Sequence, residues 1–175
     1  MPGAIPANKP FAIVRAITRV LVCAIALAGC GYQLQKPLLL QQGWQPLFLD
    51  ADINLQRVLR NELAKSNIAI TRSRKQAGSV LTLRASDIAV RGISISFDGR
   101  DAELLRSIDA ELAWRDASGQ ALAQAQLHSE QTQLASPERR AAQQREAARL
   151  DELLREKLVQ QAIALLQHTA AQASR

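Results

Sequence analysis

Of the two cysteines in the chain, Cys30 stands directly after a basic head and an apolar run, and that position decides what its thiol can do. The head carries Lys9, Arg15 and Arg19 and no acid, and the run from Val20 to Ala28 is mostly apolar and ends on small residues. This is the anatomy of an export signal, whose core of roughly 7–15 residues is too short to cross a bilayer as a stop-transfer helix. Cleavage before Cys30 removes residues 1–29, Cys23 with them, and leaves Cys30 as the first residue and the single remaining thiol. With no second cysteine to pair with, modification of a terminal thiol explains Cys30 better than a disulfide does. The alternative is an ordinary secretory signal in which Cys30 happens to fall beside the cleavage site.

Chemistry that transforms a substrate finds little support. The two histidines, His128 and His168, fall on separate predicted elements without metal-ligand spacing, and HExxH, GxSxG and a phosphate-cradling glycine loop are all missing from the sequence. Asp50 with Asp52 and Asp98 with Asp101 sit at turns, where aspartate bonds the local backbone. The expectation is a protein that is not an enzyme, with no metal and no cofactor beyond what Cys30 carries; a hydrolase using His128 is the remote alternative.

The arginines are the more informative side chains. After removal of residues 1–29 the chain holds 19 basic against 16 acidic side chains, so the whole-chain charge of +6 overstates its basicity. Residues 30–106 carry eleven Lys or Arg against seven Asp or Glu, whereas residues 107–175 carry eight against nine. An anionic ligand therefore belongs to the first half. Nucleic acid is excluded as partner, because an exported chain does not meet it and aromatic residues make up only 3%. Arg72, Arg74 and Lys75 cluster in one loop, and Arg84, Arg91, Arg100 and Arg106 spread along predicted strands and their turn. Guanidinium forks on an exposed β-ribbon can grip the phosphates of an anionic glycolipid; the plainer reading is solvated charge that discourages edge pairing.

These side chains need elements to carry them. Residues 30–43 read as a tether and lead-in, and Trp44 to Asp50 as a first strand. A helix capped by Asn54 follows, with Leu55, Val58, Leu59 and Leu63 on one face, and Ser66-Asn67 ends it. Ile68 to Thr71 is a short strand, making a β-α-β opening with the first two strands parallel. Val80 to Val90 reads as one strand, with Leu81 and Leu83 facing away from Val80, Thr82 and Arg84. Asp98-Gly99 turns the chain, and Leu104, Ile108, Ala110, Leu112 and Trp114 mark the inward face of the next strand. After the Asp116 to Gly119 turn, Ala121, Ala123, Ala125 and Leu127 form a small-residue face on which a helix can lie close. The closing helix is capped by Ser136 with Pro137 behind it, carries a stripe of Ala147, Leu150, Leu154, Leu158, Ala162 and Leu165, and gives way to a frayed tail over residues 169–175.

Leu27-Ala28-Gly29-Cys30 resembles the lipobox of a bacterial lipoprotein signal peptide. That resemblance implies a diacylglycerol on the Cys30 thiol and a further acyl chain on its amine, enough for stable anchoring. The start Ala28 to Leu34, the segment Leu47-Phe48-Leu49-Asp50, the helix containing Arg57 to Leu63, the strand pairs and the long closing helix resemble, in their order, the lipopolysaccharide-assembly lipoprotein (LptE) family. The resemblance implies an α+β fold: a small two-layer sandwich of a mixed four- to five-stranded sheet with two helices packed on one face, occupying residues 44–168. It implies residence at the periplasmic face of the outer membrane, inside the lumen of the LptD barrel, as plug and assembly factor and as a binder of lipopolysaccharide. Gly31, in place of the aspartate of inner-membrane retention, fits outer-membrane sorting. The family's basic ligand positions around the middle hairpin correspond here to Arg91, Arg100 and Arg106, whereas Gln124, Gln126 and His128 stand where a more basic strand is expected. The alternative is a lipid-anchored accessory scaffold of another outer-membrane assembly complex.

Overall fold

Why a single sheet can carry both a packed core and a projecting ribbon is written into the length of one strand. In the computed structural model, which describes residues 38–135 and 140–173, that strand is β5, Asp101–Asp116. Around it lie β1 (Leu47–Ala51), β2 (Ile70–Thr71), β3 (Ser79–Ala85), β4 (Ala89–Ile95) and β6 (Ala121–Leu134), with helices α1 (Ile53–Lys65) and α2 (Arg140–Ala173). At about 3.3 Å per residue β5 runs on the order of 50 Å, and α2 at about 1.5 Å per residue matches it.

One edge of β5 is taken by β6, from Glu103↔Leu134 to Arg115↔Ala121. The other is shared end to end: β3 pairs with its second half, Ser79↔Asp116 to Ala85↔Ala110, and β4 with its first, Ala89↔Ser107 to Ile95↔Asp101. Beyond β3 come β1 and then β2, both parallel, so the sheet is mixed and has six strands. The lower half of β5 is thus central in a sheet, and its upper half is the middle of a three-stranded ribbon. Gly99 (φ 79) and Gly119 (φ 88) close the β4–β5 and β5–β6 turns in the left-handed region that glycine tolerates.

Alternation puts Ile108, Ala110, Leu112 and Trp114 of β5, Leu81 and Leu83 of β3 and Leu47 and Leu49 of β1 on one buried face. Leu55, Leu59 and Leu63 of α1, and Leu154, Leu158, Val159, Ala162, Leu166 and Ala170 of α2, complete the same core. The two helices therefore pack on one face and leave the other open. Helix α1 ends in a Schellman motif: Ile68 N–H donates to Leu63 O at 3.2 Å, Asn67 N–H to Ala64 O at 3.1 Å, and Asn67 takes φ 54. Trp44 meets the fully buried Trp114 edge to face, with ring centroids 5.0 Å apart.

Several expectations change. The predicted strand from Val80 to Val90 is two strands, because Ser86 interrupts the ladder: its N–H donates to Asp109 O at 2.8 Å and its hydroxyl accepts the Asp109 N–H at 3.2 Å. This break raises the strand count to six. Asn54 lies inside α1, which starts at Ile53 behind Asp52, and the Asp52 side chain makes no capping bond. Trp44 belongs to a short 3-10 turn, so β1 begins only at Leu47. The α2 stripe ends on Leu166 and Ala170 rather than Leu165, and the helix continues through Ala173, whose carbonyl accepts from Gln41 Nε2 at 3.0 Å. The expected frayed tail is helix over most of its length. The Ser136-Pro137 cap lies outside the described residues.

Candidate functional site

The ribbon of β4, the first half of β5 and the second half of β6 is where the exposed chemistry gathers. Residues Ser96 to Arg100 form its tip, closed by Ser96 N–H to Arg100 O at 2.8 Å and Gly99 N–H to Ser96 O at 3.0 Å. The Ser96 hydroxyl donates to the Asp98 carboxylate and is the main reason that this carboxyl lies below its ordinary range; desolvation opposes the shift and the Arg100 N–H adds to it. Around this turn stand apolar side chains with no layer over them. Phe97 is fully exposed at 105%, Ile95 at 72% and Leu134 at 71%, with Ile93 near half, whereas Val90, also near half, lies farther down β4 opposite Arg106. Exposed apolar side chains gathered at one place mark an interaction site more than a single exposed leucine does.

The three expected ligand arginines do not converge. Arg91 lies opposite Leu105 on β5, one register step from the Val90↔Arg106 pair, and is exposed on the open face. Arg100 sits at the tip, 69% exposed, with Nε 3.8 Å from Asp98 Oδ2. Arg106 points the other way, toward α2: its Nε and Nη2 donate to Asp151 Oδ1 at 2.8 and 2.6 Å, and its side chain is only 12% exposed. Strand alternation alone separates Arg91 from Arg106, because the residue that Arg91 faces is the odd-numbered neighbour of Arg106. Arg84 is tied to Asp50 at 2.7 Å on the open face, while Arg72, Arg74 and Lys75 lie exposed near β2, at the sheet end remote from the tip. Cys30 lies outside the described residues.

His128 stands on the open face with Nδ1 2.7 Å from Asp109 Oδ1 and Nε2 3.5 Å from Glu130 Oε2. The Asp109 carboxylate first, then that of Glu130, raise its pKa above the ordinary value of 6.5. Its ring partners are the two carboxylates, so the imidazole gains an ion pair with each when it is protonated. Among the described residues no three His, Cys, Asp or Glu side chains group so as to hold a metal, and no helix is long and apolar enough to cross a membrane.

Between the ribbon and the first turns of α2 lies a cleft of about 260 Å³, lined by Leu104, Arg106, Gln133, Gln143, Gln144 and Ala147. Neither this cleft nor the apolar tip is legible in the sequence. Ile93, Ile95 and Phe97 alternate with polar residues as half-buried strands do, and that pattern carries no sign of which half lacks a covering layer.

What the fold defines is an open-faced α+β sandwich with two helices on one side of a mixed sheet and a β-ribbon running on past the core. Solved bacterial lipoproteins share it. The rare lipoprotein B of Shewanella oneidensis superposes with a TM-score of 0.57 at 22% identity, over 73% of this chain and 95% of that one. A lipoprotein B of Nitrosomonas europaea gives 0.61 at 16% identity, over 73% and 83%. A minor lipoprotein of Acinetobacter baumannii gives 0.52 at 13%, over 70% and 90%. No protein-family profile and no curated protein matches the chain in sequence.

Proposed function

We propose that this chain is an outer-membrane lipoprotein, acylated on Cys30, that serves as a non-enzymatic subunit of a lipopolysaccharide translocon: it seats its ribbon in the LptD barrel, assists that barrel's assembly and binds lipopolysaccharide in transit. The observation that carries the reading is the polarity of the molecule from end to end. The lead-in joins the sheet where Leu47, Ser79 and Asp116 align, while the exposed Phe97 tip stands at the far end of β5, about 50 Å away by strand length. A body anchored beside a barrel at one end can in this way present its opposite, apolar and arginine-bearing tip to that barrel's lumen. The names of the proteins sharing its fold support the lipoprotein part, and the lipobox gives that part a chemical basis. Arg91 and Arg100, both exposed on the ribbon and Arg100 beside Asp98, are within reach of lipid phosphate, and Arg106 meets it only if Asp151 lets go.

Depletion in the native cell is the test. Loss of lipopolysaccharide from the cell surface, with its accumulation in the periplasm or inner membrane, is the expected result. Normal surface lipopolysaccharide after depletion would point instead to a lipid-anchored scaffold of another assembly complex.

A further inference from the structure

Helix α2 is seated in two different ways along its length. From Leu150 onward it presents a buried row, with Leu154, Leu158, Val159 and Ala162 wholly enclosed. Before Leu150 no side chain from 141 to 149 is buried, although these turns lie over the helix-facing side of the ribbon. What ties this end of the helix to the ribbon is polar. Gln133 Nε2 donates to Gln143 O at 2.9 Å, and Arg106 places two N–H groups on Asp151 Oδ1. Between those two ties lies the 260 Å³ cleft.

We propose that residues 140–151 are a lid latched by the Arg106–Asp151 pair, so that Asp151 occupies the guanidinium that an anionic ligand of the ribbon needs, and opening the lid exposes both Arg106 and the cleft. A stretch whose one buried apolar side chain is Leu150, at 9% exposure, opens locally at far lower cost than the core it adjoins. The pair is suited to hold it. Its side chains are 12% and 24% exposed, whereas the next residue along, Glu152, pairs with Arg57 of α1 at 54% and 62% exposure, where water screens the attraction. As a gate on a ligand, the latch rests on the function proposed above; as a moving part of the chain it does not.

Hydrogen exchange on the full mature chain, without ligand, tests it. Asp151→Asn should speed exchange of the amides of residues 144–150 by about tenfold or more while leaving residues 154–170 unchanged, as expected for loss of a charge-assisted bond. Glu152→Gln should change neither stretch. Unchanged exchange over 144–150 in Asp151→Asn, or an equal rise through 154–170, overturns the latch, and either result leaves the barrel reading to be judged by its own test.

Discussion

Replacing Phe97 by serine separates a binding tip from a structural one. In the free chain Phe97 is 105% exposed and its neighbour Ile95 72%, so neither contributes packing that serine would remove. The stability of the isolated protein should move by no more than about 0.5 kcal/mol, as for surface changes away from special features. In a complex the account is different. A phenylalanine that passes from full exposure to full burial gains about 1.5–3 kcal/mol, which is roughly a 10- to 150-fold change in affinity. Urea unfolding followed by tryptophan fluorescence gives the first quantity, because the chain has two tryptophans, Trp44 and Trp114, and they touch in the core. Titration of the purified barrel with labelled wild-type and variant protein gives the second. An unchanged affinity would refute the assignment of the tip as the contact. So would a loss of more than about 1 kcal/mol in the free chain, since it would mean that Phe97 already has a packing partner.

Leu158, wholly buried between α2 and the sheet, should cost about 2–5 kcal/mol on change to alanine, read as a lower urea midpoint with an unchanged slope. Gly78→Ala should destabilise by about 1–3 kcal/mol, because a Cβ there would lie 2.5 Å from Gln45 O and 2.7 Å from Gly43 O, both backbone atoms that cannot swing aside. His128 contributes stability that is fully present below its unfolded value of 6.5 and is lost as pH rises through its raised folded value. The stability gap between wild type and His128→Gln should accordingly be wider near pH ~5.5 than near pH ~8, and a gap that does not vary with pH contradicts the ion-pair geometry. Cys30→Ser should move the protein from the membrane fraction to the soluble periplasmic extract, and mass spectrometry of the wild type should find acyl chains on its first residue.

How far the fold can be read from the chain depends on whether the deciding signal is local. Leu55, Leu59 and Leu63 fall on one helical face, and Ile108 to Trp114 on one strand face, because burial imposes the period directly on the residues it buries. Asn67, Gly99 and Gly119 announce the ends of elements through the backbone conformation each is suited to adopt. The division between β3 and β4 is not local, since it depends on Ser86 bonding to Asp109, twenty-three positions along the chain. Nor is the split of the arginines. Alternation along β5 sends Arg106 to the helix face, but only the packing of α2 brings Asp151 against it. The tip is harder still, because an apolar strand residue that awaits a partner and one already covered by its own chain have the same side chain.

Under the proposed function, a lipid-anchored body engages an outer-membrane barrel through its ribbon. Affinity capture of the tagged, acylated chain after mild detergent extraction, with identification of what comes with it, detects that engagement. A large outer-membrane β-barrel recovered in near-equal amount with wild type, and depleted with Phe97→Ser, is the predicted result. Recovery of the chain without any barrel would contradict it.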